Sequence, residues 1–453
     1  MIKNILNWLQ RNIILVAIFC MVVFASILRI QLYGDVKLSI AGNDTASYVD
    51  ASQVPLFSSE IFTGRRLFTT NLIYKIFQPE NGYEILVNGS IETTRRIIQP
   101  GLIGIVILQL ALSVFGWGML ALVISEYIKN SLMKIISAGA ILLFAFTPQT
   151  ADWDSILMSE SLTFSLFALE FAILIKLAFL LYNNPNQNVT KWMIGWAIVY
   201  FFWTFIKDTN LFVSIVTIAL IALLLFWVKY RTNKNLWRAL IFLALVFIFG
   251  IVTSANSTRS QVQLINIYQD DLLSSPLRTQ ILKDMGMPEP YTSEYNEWFE
   301  ENSTKALIKF MLTHPGYPMT KVINDFPWAF TEIKQTYFKA PELNPARETL
   351  MTIGDALHPE NTTPFLMSLL LLIGIIYLGF NNIHNSLPWA WLGVWLYLIA
   401  SITLIPTILG DTWALNRHAL FSTMLYRFCM WLFAIIIIDI ALAKNTPLEN
   451  KKP

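Results

Sequence analysis

Ten apolar runs separated by polar stretches account for most of this chain. They extend from Ile13 to Ile30, Leu102 to Ile124, Ile135 to Phe146, Ile156 to Leu181 and Trp192 to Ile206, then from Leu211 to Val228, Leu236 to Val252, Phe365 to Phe380, Leu387 to Leu409 and Ala419 to Leu442. Crossing the hydrocarbon core of a bilayer takes roughly 20 residues of helix, so the shorter runs must extend into flanking Trp, Tyr, Ser and Thr. The pattern predicts an all-α polytopic membrane protein of about ten transmembrane helices.

Two long polar segments interrupt the runs. The first, 31–101, mixes apolar and polar residues at helical spacing over Ser47–Phe57 and Leu67–Phe77, with breaks at Pro55, Gly64 and Pro79. Short amphipathic helices of this kind lie along a membrane surface. The second, 254–363, predicts helices near Gln261–Met285, Glu294–Leu312 and Tyr317–Phe338, with a helix start at Ser275-Pro276 and a stop at His314-Pro315-Gly316. The chain divides accordingly into a transmembrane core over 1–253 that includes the first loop, a helical cap over 254–363, and closing transmembrane helices with a tail over 364–453.

Charge sets the expected orientation. With the N-terminus in the cytoplasm, the inner loops and tails carry Lys3, Arg11, Lys129, Lys134, Lys191, Lys229, Arg231, Lys234, Arg238, Lys444, Lys451 and Lys452, whereas the short outer loops hold only Lys207 and Arg417. This asymmetry places both termini inside and both long polar segments outside. The first run, at full span length and without a small-residue cleavage site, reads as a retained anchor.

Composition agrees, with 55% hydrophobic and only 14% charged residues. A net charge of +2 spent largely on topology argues against a nucleic-acid partner. The two cysteines, Cys20 and Cys429, both fall in apolar runs and supply neither a disulfide framework nor a zinc site. The four histidines lack metal spacing, so a divalent ion would have to come from carboxylates such as Asp44 and Glu160. No glycine-rich phosphate loop and no Gly-x-Ser-x-Gly nucleophile is present.

Candidate chemistry gathers at the outer boundary. Asp44, four residues before Tyr48, reads either as an N-cap or as a general base for an acceptor hydroxyl, with Gly42 allowing a tight turn. Glu160 stands near the outer end of a span, where an unpaired charge costs at least about 2.5 kcal/mol, so it must face a cavity or a partner. Asp152 and Asp154 read first as helix caps, with Asp154 also a candidate for supporting the site. Glu170, deeper in the same run, predicts an interhelical pair with a basic residue. A phosphate-bearing donor needs cations at this boundary; Arg29, Arg65, Arg66, Lys207, Arg417 and His418 are all expected there, with Arg65, Lys207, Arg417 and His418 assigned to the phosphate.

Four segments together resemble the GT-C superfamily of polytopic glycosyltransferases. Gly42-Asn43-Asp44 with Tyr48 is similar to that family's acidic motif in the first outer loop. Gly64-Arg65-Arg66-Leu67-Phe68 resembles its Gly-x-Pro-Pro-hydrophobic helix start, with arginines where the prolines stand. Leu157-Met158-Ser159-Glu160-Ser161-Leu162 resembles its Met-Thr/Ser-Asp/Glu-x-Leu segment, and Asn416-Arg417-His418-Ala419-Leu420 its late Arg-Tyr/His segment without the following proline. The resemblance implies transfer of a sugar from a polyprenyl-phosphate donor to a lipid or glycan acceptor. In that scheme Asp44 is the base, Glu160 orients the acceptor or a metal, and Arg417 with His418 holds the departing phosphate.

Two other readings share this chemistry. A transporter or flippase for lipid-linked glycan would line a path with Glu160, Glu170 and Arg427, although the chain lacks the repeated halves common in transporters. A glycan polymerase or ligase would need the same carboxylates and arginines.

Overall fold

A computed structural model describes residues 12–33, 38–42, 44–78, 86–87, 97–257, 259, 261–337, 345–381 and 383–444. Every apolar run forms a helix: α1 (Ile13–Tyr33), α5 (Ile103–Tyr127), α6 (Ser131–Phe146), α8 (Glu160–Asn183), α9 (Thr190–Thr204), α10 (Val213–Leu225), α11 (Lys234–Ala255), α17 (Thr363–Phe380), α18 (Leu387–Gly410) and α20 (Leu420–Lys444). Among the described residues, 8 helices are long and apolar enough to cross a membrane, or up to 9 if α6 and the segment Pro148–Ser155, bent by 51°, form one span. At 15 residues, α9 falls short of a full crossing by itself. The protein is an all-α, multi-pass membrane protein.

The bundle centres on α8, which packs against α5, α9, α18 and α20. Gly116 of α5 lets the α8 backbone approach closely: a Cβ there would sit 2.4 Å from the Ser165 carbonyl oxygen. α17, α18 and α20 form a second packed group, while α1 lies against α5 and α6.

Before α5 come α2 (Thr45–Ser52), α3 (Glu60–Thr63) and α4 (Phe68–Ile76), together with a three-stranded antiparallel sheet of β1 (Ile40–Ala41), β2 (Leu86–Val87) and β3 (Ile97–Ile98) in the order β1-β3-β2. α2 and α4 pack on each other. Asn43 and Pro79 lie outside the described residues.

α7 (Pro148–Ala151) and a 3₁₀ turn, Asp152–Ser155, carry the chain into α8. The cap holds α12 (Gln261–Asn266), a π turn (Ile267–Leu272), α13 (Pro276–Asp284), α14 (Ser293–Thr313), α15 (Gly316–Ala329) and α16 (Pro345–Leu357). Ser275 caps α13 by accepting from the Arg278 amide, and α14 stops at His314, as the local residues predict. The stretch Gln261–Met285 is three pieces, the last opening at the expected start Ser275-Pro276; the helix expected over Tyr317–Phe338 ends at Ala329, and α16 has no counterpart in the sequence expectation. The cap has its own small core around Tyr268, Leu272, Leu282 and Phe310, whereas Ala329, Phe330 and Ile333 join the bundle core.

Candidate active site

Chain direction gathers the charged residues at one end of the bundle. Asp44 follows α1, Glu160 opens α8, Lys207 follows α9, and α19 (Leu415–His418) joins α18 to α20. The backbone then draws these segments together. The amide of Leu157 donates to the Ile40 carbonyl at 2.8 Å, and the Leu157 carbonyl accepts from the Thr45 and Tyr74 hydroxyls, each at 2.8 Å. From α5, Gln109 donates to the carbonyls of Asp154 at 2.8 Å and Ile156 at 3.0 Å. These bonds seat the segment before Glu160 beside β1 and α2, although more than a hundred residues separate them in sequence. Gly42 serves this approach through lack of bulk, not through a left-handed turn: a Cβ there would meet Met158 Sδ at 2.6 Å and the Tyr337 ring at 2.9 Å.

Asp44 occupies the N-cap position of α2, but its side chain makes no cap hydrogen bond. Its carboxylate lies between two arginines, 3.1 Å from Arg66 Nη2 and 2.9 Å from Arg417 Nη1, with 31% of the side chain exposed. The Arg66 guanidinium also donates to Ser47 Oγ and sits 4.3 Å from the ring centroid of Tyr48. Burial alone would push the Asp44 carboxyl up, but Arg417 and Arg66 together hold it below the ordinary aspartate value. For Tyr48, burial dominates and pushes the phenol up to about 12.

Glu160 is buried, with Oε1 3.3 Å from Lys207 Nζ and Oε2 without a hydrogen-bond partner. Arg417 donates to the Tyr337 hydroxyl at 3.0 Å and through Nη2 to His418 Nε2 at 2.6 Å. His418 Nδ1 is paired with Asp411. That geometry fits an imidazole whose Nδ1–H donates to Asp411 while Nε2 accepts from Arg417. Burial disfavours the charged guanidinium of Arg417, but Glu160, Tyr337 and Asp44 outweigh it and raise its pKa. Fixed cations thus flank an ionised carboxylate beside a second carboxylate.

The structure therefore groups Asp44, Tyr48, Glu160, Lys207, Arg417 and His418. Arg65 is exposed, and its neighbour Arg66 makes the contacts to Asp44. Composition cannot distinguish adjacent arginines, because which one turns inward depends on the backbone leading into α4. Asp411 and Tyr337 also belong to the cluster. The acid directly after the long apolar α18, seven residues before His418, is the sequence signal that identifies Asp411.

Asp154 is not at this site. It is buried against Arg29 at 2.5 Å and accepts from Ser161 Oγ at 2.5 Å, tying α1 to α8. Neither Asp152 nor Asp154 caps a helix with its side chain; Arg347 Nη2 contacts both oxygens of Asp152 at 2.7 Å, docking α16. Glu170 has an interhelical partner, the Trp196 indole N–H at 2.6 Å, in place of a basic residue. Arg427 donates to the carbonyls of Phe330 at 2.8 Å and Pro359 at 3.1 Å, away from the cluster. Replacing Arg29 with Met leaves Asp154 buried without its cation, and removing one partner of a buried pair costs about 3–5 kcal/mol. A lower Tm of the detergent-solubilised protein is expected, with recovery when Asp154→Leu is added; an unchanged Tm in R29M would show that the pair does not hold α1.

Among the described residues, no group of three or more His, Cys, Asp or Glu is placed to hold a metal ion. The site and fold thus define a multi-pass helical membrane protein with a partly exposed, ion-paired carboxylate cluster at one end of its bundle. No family model matches the chain, and no curated protein matches it.

Proposed function

We propose that this protein is a membrane glycosyltransferase of the GT-C type, moving a sugar from a polyprenyl-phosphate donor to an acceptor hydroxyl at the extracytoplasmic face with inversion. The observation that carries this reading is Asp44 between Arg66 and Arg417, next to the Glu160–Lys207 pair. A general base and fixed positive charge are what an attacking hydroxyl and a departing phosphate require.

Asp44 takes the proton of the acceptor hydroxyl as its oxygen attacks the anomeric carbon. The bond from that carbon to the donor phosphate oxygen breaks, and the electron pair leaves with the lipid phosphate. Arg417, backed by His418 and Asp411, meets the developing charge with paired N–H donors. Glu160, held by Lys207 on one oxygen, orients the acceptor from beside the base in this reading. The scarcity of basic residues in short loops at the site end supports an outward orientation with both termini inside. On that side a flipped lipid donor takes the place of a nucleotide sugar.

The test is reconstitution of the purified full chain in liposomes with a panel of polyprenyl-phosphate sugars and candidate acceptors. Release of free polyprenyl phosphate in step with sugar transfer is the expected result. Translocation of a lipid-linked glycan without any glycosyl transfer would overturn the proposal and favour a flippase.

A further inference from the structure

We infer that the cleft between the cap helices and the Asp411–Ala414 turn is a carbohydrate-binding subsite for the acceptor glycan, joined to Asp44 through the 411–418 segment. This rests on the glycosyl-transfer reading and adds the chemistry and location of the second substrate. The cleft has a volume of about 620 Å³, within the size range of small-molecule sites. One wall is a single face of α15: Gly316, Thr320, Asn324 and Trp328 recur every fourth residue and all line the cleft. The facing wall presents Asp270 and Asp271 from the π turn, a geometry that recurs at functional sites, and Thr412 lies at the margin.

These groups suit a sugar better than the alternatives. Hydroxyls both donate and accept, so their site needs acceptors and donors side by side; here aspartates stand near the exposed amide of Asn324 and the Thr320 hydroxyl. A sugar ring also has a C–H face that packs on aromatic rings, and one indole, Trp328 at 41% exposure, lines the cleft, with the exposed Trp413 next in sequence to the lining Thr412. The Trp413 N–H donates to Asp270 Oδ2 at 2.5 Å, which fixes that indole to the rim.

Charge counts against an anion. Asp270, Asp271 and Asp325 face two cations, Arg278 and Lys321, and both are already paired: Arg278 with Asp271 at 2.8 Å, and Lys321 with Asp325 at 2.8 Å and Asp271 at 3.4 Å. The same pairs, with Tyr317 donating to Asp271 at 2.7 Å, hold the wall in place before a ligand arrives.

Continuity points to the acceptor. Thr412 and Trp413 directly follow Asp411, the partner of His418, and His418 touches Arg417, which pairs with Asp44. A glycan lying in the cleft is thereby led along the 411–418 segment to the proposed base.

The experiment measures binding of the full-length protein in detergent to a panel of neutral hexose and N-acetylhexosamine oligosaccharides, with an oligolysine peptide as control. At least one oligosaccharide is expected to bind. Thr320→Trp, which fills the cleft from an exposed position, and Trp328→Ala should each weaken binding tenfold or more at unchanged Tm, whereas Asp44→Asn keeps it within twofold. In turnover, the two cleft variants should raise acceptor KM tenfold with kcat within twofold. No binding to the panel, binding unmoved by both cleft variants, or preference for oligolysine would overturn the subsite. Transfer that proceeds with acceptor KM unmoved by both variants sinks the subsite and leaves the transferase reading standing. Oligosaccharide binding through the cleft in a protein that releases no polyprenyl phosphate does the reverse.

Discussion

Asp44→Asn is expected to lower sugar transfer by about 10²–10⁴-fold, the usual contribution of a positioned general base, while the solubilised protein stays monodisperse. Asparagine keeps the size of the side chain and an oxygen for Arg66 and Arg417, but it cannot take a proton. The electrostatics of the site give a second readout. Burial works against the Asp44 carboxylate, but Arg417 and Arg66 bring its pKa below the ordinary aspartate value. With the folded value depressed, the ionised form and its ion pairs persist above the ordinary aspartate range, and both are lost only as pH falls through the depressed value. The acidic limb of kcat/KM should therefore lie below that range in the wild type. Arg66→Gln removes one of the two nearest cations and should move the limb to higher pH. Near-normal transfer in D44N would remove Asp44 as the base, and a limb that stays put in R66Q would remove Arg66 as the group that tunes it.

Arg417→Ala should reduce kcat by about 10²–10³-fold, the typical cost of deleting one preorganised donor aimed at developing negative charge. The loss should fall on the donor: KM for the polyprenyl-phosphate sugar rises while KM for the acceptor stays within twofold. Arg417→Lys should recover only part of the rate, because an ammonium supplies a point charge without the paired N–H geometry. Arg417 also pairs with Asp44, so R417A should raise the acidic limb as R66Q does. Equal losses for donor and acceptor would mark Arg417 as a structural residue at the junction of α18 and α20.

Hydrophobic run length alone determined the class of this protein and the sites of its ten main helices, because apolar length is set by the bilayer rather than by any neighbour in the fold. Local chemistry likewise placed Ser275 as a cap and the stop before Gly316, since caps and proline act within a single turn. The ends of the runs also indicated which loops share one side of the bundle. That brought Asp44, Glu160, Lys207, Arg417 and His418 to one boundary as candidates.

Tertiary structure decided the pairing within that boundary. Asp44 is a suitable cap by sequence, yet Arg417, 373 positions later by residue number (417 − 44), claims its carboxylate. Arg66 rather than Arg65 turns inward, and Asp154 turns away to Arg29 on α1. Asp411 is marked in sequence only by its place after α18, and the fold makes it the partner of the histidine that touches Arg417. The Asp44 end of the cluster is assembled where the Ile156–Ser159 segment docks on β1 and α2, with Gly42 closely fitted against Met158 and Tyr337. Spacing along one helix predicts which residues share a face; it carries no information about which distant segment will lie against that face. That choice comes from packing and hydrogen bonding across the whole bundle, and it determines which carboxylate at this end of the membrane is left ionised and partly open.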